Sequence, residues 1–197
     1  FNKVKKTRIS IGAQDCHQNF GYGPFTGSIN SKLIKSTGAK YVIIGHSEKR
    51  NQGDKDLDVN NKIQSALKEN LKVIFCIGEN FSENKKNLTY LVLKKQIRKG
   101  LSNIKKLENV IIAYEPIWSI GTGLVPKDYE LKKNIRNIKK ILNSLKNSKK
   151  IKILYGGSVN PQNAKYLAKI CEINGFIIGV ASINAKKFID IIKKSIN

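Results

Sequence analysis

Six short runs of almost unbroken apolar residues constrain this chain more than any other feature. They are Arg8–Gln14, Lys40–Gly45, Lys72–Gly78, Val110–Tyr114, Ile151–Tyr155 and Gly175–Gly179. A strand with one wet face alternates apolar and polar side chains. Continuous runs such as Val-Ile-Phe-Cys-Ile belong instead to parallel strands covered on both faces. The segments between them, Ser28–Thr37, Asp56–Glu69, Leu88–Ile104, Lys127–Leu145, Asn160–Ile170 and Ala185–Ile196, read as helices. Leu131, Ile135, Ile138 and Leu142 keep 3–4 spacing and form one apolar stripe. Repeated β-α units predict an α/β fold built on a parallel sheet. No proline-rich or serine-rich linker divides the 197 residues, so residues 1–197 are read as a single domain with a core of its own.

Composition narrows the function mainly by exclusion. No apolar run reaches the roughly 18 residues of a membrane span. The opening Phe1-Asn2-Lys3-Val4-Lys5-Lys6 lacks the apolar stretch of a secretory signal. Cys16, Cys76 and Cys171 lie far apart without paired metal spacing, which predicts no metal site and a reducing, cytoplasmic setting. A net charge of +23 raises the question of nucleic acid. Yet only four of the 37 basic residues are Arg, and the lysines spread over most helical segments. Lys, Asn and Ile are all heavily used and share AT-rich codons; base composition explains all three, nucleic-acid binding only Lys. Nucleic acid is therefore not the expected partner. The absence of Met and the opening Phe1 point to a processed or incomplete product.

Polar and glycine residues gather just after the strands: Gln14-Asp15-Cys16-His17, Gly45-His46-Ser47-Glu48, Gly78-Glu79, Glu115, Gly156-Gly157-Ser158 and Gly179-Val180-Ala181-Ser182. Ligands of α/β sheets and barrels bind at the carboxyl ends of the strands, which puts all these clusters on one face. Glu115 ends an apolar strand and is held extended by Pro116. The loop that follows carries the only Trp, Trp118, and closes on Gly121 and Gly123, two residues suited to hinges. A carboxylate drawn partly out of water titrates nearer neutrality, as a general base requires. The competing reading, a carboxylate paired with a surface lysine, does not account for the apolar run or the loop. Glu79 has the same strand-end position without such a loop and ranks lower as a base.

His46 is either a structural histidine or an electrophile. Ser47 is placed to cap the next helix with Glu48 at its positive end, and an imidazole there favours the neutral, hydrogen-bond-donating form. Gly156-Gly157-Ser158 before a helix, followed by Gly179 after the next run, matches a phosphate site made of two consecutive loops. Gly21-Tyr22-Gly23 lacks the third glycine of a dinucleotide fingerprint, and no Walker-type sequence occurs, so no cofactor is expected. Cys16-His17 is an isolated pair and gives no zinc site.

Phe25-Thr26-Gly27, Val42–Arg50, Val73–Glu79, Ala113–Gly123, Tyr155–Val159 and Gly175–Ser182 together resemble the triosephosphate isomerase family, in family order over essentially the whole chain. The resemblance implies a (β/α)8 TIM barrel. It also implies interconversion of dihydroxyacetone phosphate and glyceraldehyde 3-phosphate through an enediolate, in glycolysis and gluconeogenesis. On that pattern Glu115 is the base, His46 the electrophile and Glu48 an acidic neighbour. Gly121, Ser158, Gly179 and Val180 hold the phosphate by their backbone, and residues 117 to 123 close over it. The Gln14–Gly27 segment matches a loop that reaches a second subunit, with Thr26 near that subunit's site, which implies a homodimer.

The departures from the family are specific. Six runs are two short of eight, so the first two β-α units have no counterpart here, nor do the family's first-strand Asn and Lys. Val180 stands where the family has glycine, and the lid's far side, Gly123-Leu124-Val125-Pro126, is about two residues shorter. The competing expectations are a non-catalytic remnant or lysine-rich binding protein with a partial barrel, and another phosphate-sugar isomerase on the same scaffold.

Overall fold

A computed structural model of the chain describes residues 3–105, 107–145, 151–170 and 172–196; Phe1, Asn2 and Cys171 lie outside the described residues. Its sheet has five parallel strands in chain order: β1 (Gly12–Ala13), β2 (Tyr41–Ile44), β3 (Lys72–Ile77), β4 (Val110–Tyr114) and β5 (Lys152–Tyr155). The register sets Val42 beside Val73, Ile74 beside Ile111 and Ile112 beside Ile153.

Two expected strands need correction. The first run keeps strand geometry only over Gly12 and Ala13, with Ile11 O accepting from Lys40 N–H at 2.8 Å just before them, and Ile9, upstream, is exposed. An apolar run without cover on both faces has nothing to hold it in a sheet. Gly175–Gly179 is not a strand either: it joins β5 through one bridge, Phe176 opposite Tyr155. Around that bridge Tyr155 N–H donates to Gly175 O and Ile177 N–H donates to Tyr155 O. Gly175 (φ 155°) and Gly179 (ψ −117°) bend the backbone out of strand geometry on either side.

The helices in chain order are α1 (Ser31–Ser36), α2 (Ser47–Asn51), α3 (Asp56–Lys68), α4 (Phe81–Lys85), α5 (Thr89–Gly100), α6 (Asp128–Asn143), α7 (Ala164–Ala168) and α8 (Ala185–Ile196). The short α2 and α4 show too little periodicity to be read from sequence. Capping makes α4: Asn80 Oδ1 accepts from Glu83 N–H while the Glu83 carboxylate accepts from Asn80 N–H. The helix expected over Asn160–Ile170 contracts to α7 because Asn160 Oδ1 accepts from Gln162 and Asn163 N–H, turning that segment before the helix begins.

The stripe on α6 is fully formed, with Leu131, Ile135, Ile138 and Leu142 all buried alongside Val73, Phe75, Ile112 and Ile153 from the strands. Each such side chain contributes about 1.5–3 kcal/mol by leaving water. At Gly100 a Cβ would strike the Phe75 ring, so glycine lets α5 lie close on β3. Among the described residues no helix is long and apolar enough to cross a membrane.

Candidate active site

A cavity of about 550 Å³ opens at the carboxyl ends of the strands. Its wall takes Gln14 and Asp15 after β1, His46, Glu48 and Lys49 after β2, and Glu115 after β4. Gly156, Gly157 and Ser158 after β5 complete it with Gly179 and Val180. Five of the six strand-end clusters thus meet in one space, as the parallel topology dictates.

Glu115 follows β4 directly, and its N–H still donates to Ile77 O at 2.8 Å, so the sheet holds the backbone before Pro116 (φ −56°) turns it away. The side chain is only 2% exposed, and Oε2 has no hydrogen-bond partner. Burial raises its pKa from 4.5 to about 7; the Cys76 thiol beside it pulls downward and the charge of Glu48 pushes upward. A Cβ at residue 156 would lie 2.5 Å from Glu115 Cγ, so Gly156 makes room for this carboxylate. A buried carboxylate with a raised pKa and one oxygen left unpaired at a cavity wall is the arrangement a general base needs.

His46 departs in one detail from the sequence reading. The N-cap of α2 is His46 itself, not Ser47: its Nδ1 accepts from Glu48 N–H at 3.3 Å. A ring nitrogen that accepts carries no proton, which leaves Nε2 as the ring's donor. That nitrogen faces Glu115 Oε1 at 3.9 Å. The distance is too long for a direct hydrogen bond and leaves both groups available to an atom placed between them. Glu48 is exposed at the cavity edge. The cation in the wall is Lys49, which leans on Asp15 at 3.6 Å.

The segment expected to act as a lid begins as a 3-10 turn, Ile117–Ser119, and its glycines adopt left-handed backbone, Gly121 at φ 69° and Gly123 at φ 79°. Gly123 N–H donates to Ser158 Oγ at 3.0 Å, and the Ser158 hydroxyl donates to Ser119 O at 2.6 Å. The lid therefore rests on the Gly156-Gly157-Ser158 loop. Gly179 and Val180 start a further 3-10 turn, with the Val180 side chain pointing to solvent at 78% exposure. A side chain so placed leaves the backbone on the cavity wall undisturbed.

Glu79 is not brought into the cavity. It is fully buried beneath the lid's root, where its carboxylate accepts from Trp118 Nε1–H at 3.0 Å and from Tyr114 O–H at 3.2 Å. Burial raises its pKa and these hydrogen bonds oppose the rise. Asn134 of α6 donates to the same Tyr114 oxygen. Cys16 and His17 line a separate hollow beside Lys62, whose ammonium bonds Asp15 at 3.0 Å and Asp54 at 2.6 Å. Burial works against the Lys62 charge, but the bonds to Asp54 and Asp15 outweigh it and its pKa is raised. Among the described residues no group of three His, Cys, Asp or Glu side chains is placed to hold a metal ion. Ser119, Tyr155 and Cys76 border the site, and none of them is assigned a role there from sequence. All three sit inside apolar runs or the lid, where a hydroxyl or thiol resembles ordinary packing.

The family model for triosephosphate isomerase matches residues 1–195. Triosephosphate isomerase of Thermodesulfovibrio yellowstonii is 43% identical over 198 residues, covering 96% of this chain and 80% of that protein. The enzyme of Geotalea uraniireducens is 43% identical over 200 residues, covering 98% and 79%. The crystal structure of triosephosphate isomerase from Bartonella henselae superposes with a TM-score of 0.91 at 36% identity, covering all of this chain and 81% of that one. The parallel β-α arrangement described above is thus that of the TIM barrel.

Proposed function

Since this chain belongs to the triosephosphate isomerase family and interconverts dihydroxyacetone phosphate and glyceraldehyde 3-phosphate, we propose that Glu115 and His46 are the pair that carries the reaction. The observation behind this assignment is the buried Glu115 carboxylate, its pKa raised to about 7, set 3.9 Å from His46 Nε2. Ionised Glu115 takes a proton from the carbon next to the substrate carbonyl. His46 Nε2–H donates to the carbonyl oxygen and stabilises the oxyanion of the enediolate as it forms. Glu115 then returns the proton to the neighbouring carbon. With no hydrogen-bond partner on Oε2, the ionised carboxylate is poorly stabilised and correspondingly basic.

The phosphate lies against the backbone of Gly121, Ser158, Gly179 and Val180, all of which line the cavity. Glu48 at the cavity edge raises the Glu115 pKa further and in this reading tunes the base rather than moving a proton. The lid, residues 117 to 123, excludes water from the enediolate. The homodimer forms through Gln14–Gly27, a loop that exposes Phe20 and Tyr22 as apolar anchors. A cytoplasmic setting agrees with the free thiols of Cys16 and Cys76 and with a place in glycolysis and gluconeogenesis. A coupled assay of isomerisation tests the assignment: His46→Gln should cut kcat about 10²-fold or more, with a smaller change in KM. A kcat within threefold of wild type would remove His46 from the pair.

A further inference from the structure

We propose that Ser119 is a positioning residue whose hydroxyl clasps both ends of the lid to the loop after β5, and so sets how well the lid covers the enediolate. The proposal rests on the reading of Glu115 as base and residues 117 to 123 as lid.

A serine hydroxyl has one proton to donate and two lone pairs to offer. At the fully buried Ser119 all three are used. Its O–H donates to Leu124 O at 2.5 Å, on the far side of the lid. With that proton committed, the 3.2 Å contact with Tyr155 is Tyr155 O–H donating to Ser119 Oγ. Ser158 N–H supplies the third bond, at 3.4 Å. The Ser119 carbonyl also accepts from the Ser158 hydroxyl, whose oxygen accepts from Gly123 N–H. Residue 119 and residues 123–124 are thereby fastened together, and to one loop, across the exposed Gly121 and Thr122. The Ser158 N–H bond is the longest of the set, so an arriving phosphate can draw that donor away without opening the clasp.

The glycines of the same loop are fitted around these groups. A Cβ on Gly157 would collide with the Tyr155 hydroxyl and lie 2.6 Å from Ser119 Oγ. A Cβ on Gly156 would collide with Glu115. The adjacent glycines thus give one space to the base and the next to the clasp. Loosening Ser119 frees the lid and leaves Glu115 in place.

The chemical consequence is a change in what the enediolate does. Uncovered, its oxyanion pair re-forms the C1 carbonyl and the C1–C2 π pair shifts to C2–C3. The C3–O bond breaks, inorganic phosphate leaves, and no oxidant or reductant is required. Under a closed lid, return of the proton is faster than this loss.

The test measures inorganic phosphate release against isomerisation for wild type, Ser119→Ala and Tyr155→Phe. The alanine variant loses three hydrogen bonds and should raise that ratio about tenfold. Binding of glycerol 3-phosphate, an unreactive phosphate monoester followed by Trp118 fluorescence, should weaken severalfold. A Ser119→Ala protein that melts earlier but keeps its product ratio within twofold of wild type would overturn the proposal, since the hydroxyl would then be structural only. Should that variant fail to fold, Tyr155→Phe removes one donor to the same oxygen, and an unchanged ratio there overturns it equally. Failure of the underlying base assignment looks different: Glu115→Gln would still isomerise.

Discussion

Replacing Glu115 by glutamine should stabilise the folded protein increasingly as pH rises, while removing the proposed base. The sign follows from the direction of the pKa change. The folded carboxyl group titrates at about 7 and the unfolded one near its usual 4.5. Below 4.5 both states hold the proton and there is no cost. Between the two values the unfolded chain ionises while the folded protein keeps its proton, so stability falls as pH rises; above 7 the full cost is present. At 1.36 kcal/mol per pH unit that cost is about 3 kcal/mol, and the portion that develops between pH 5 and pH 8 is about 2.5 kcal/mol. The glutamine side chain of the Glu115→Gln variant places an amide where Oε2 has no partner, which adds a penalty of its own. That penalty does not vary with pH, so the pH-dependent part isolates Glu115. Urea unfolding of both proteins at pH 5 and pH 8 should show wild-type stability falling relative to the variant by about 2.5 kcal/mol. A difference constant within about 0.5 kcal/mol would refute the claim that Glu115 is a buried, destabilised carboxylate.

Further outcomes follow from the same geometry. Gly156→Ala pushes a methyl against Glu115 Cγ and should lower kcat at least ~10²-fold, with the far-ultraviolet circular dichroism unchanged. The profile of kcat/KM against pH should rise through about 7 as Glu115 loses its proton, because only the ionised form abstracts one. Asp54→Ala leaves the ammonium of Lys62 with Asp15 alone in a nearly buried position and should cost about 3 kcal/mol in chemical unfolding.

The sequence carried the scaffold because continuous apolar runs and 3–4 spacing are strong local signals: β2 to β5, α3, α6 and α8 stand where those patterns lie. It misjudged the segments whose state depends on distant partners. Arg8–Gln14 looks like a strand along its whole length until the exposure of Ile9 shows that its upstream half is uncovered and only Gly12–Ala13 joins the sheet. Gly175–Gly179 looks like one until its terminal glycines bend. That Glu115 and His46 lie at one end of the sheet is legible from their strand-end positions, and their separation of 3.9 Å across the cavity is not. Glu79 and Glu115 both end strands, yet one anchors Trp118 and the other lines the cavity; three-dimensional neighbours decide that difference. The glycines of Gly156-Gly157 suggested an anion cradle, and their additional task, clearing space for Glu115 and Ser119, depends on contacts across the sheet.

The role of Glu115 as the group that removes the proton is tested most directly by isotope entry from solvent. In D2O the wild-type protein should place deuterium on the carbon next to the carbonyl of the triose phosphate, at a rate comparable to isomerisation. Glu115→Gln should neither isomerise nor exchange above about one part in 10³ of that rate. Deuterium entering the substrate of Glu115→Gln at near wild-type rate would show that another group moves the proton.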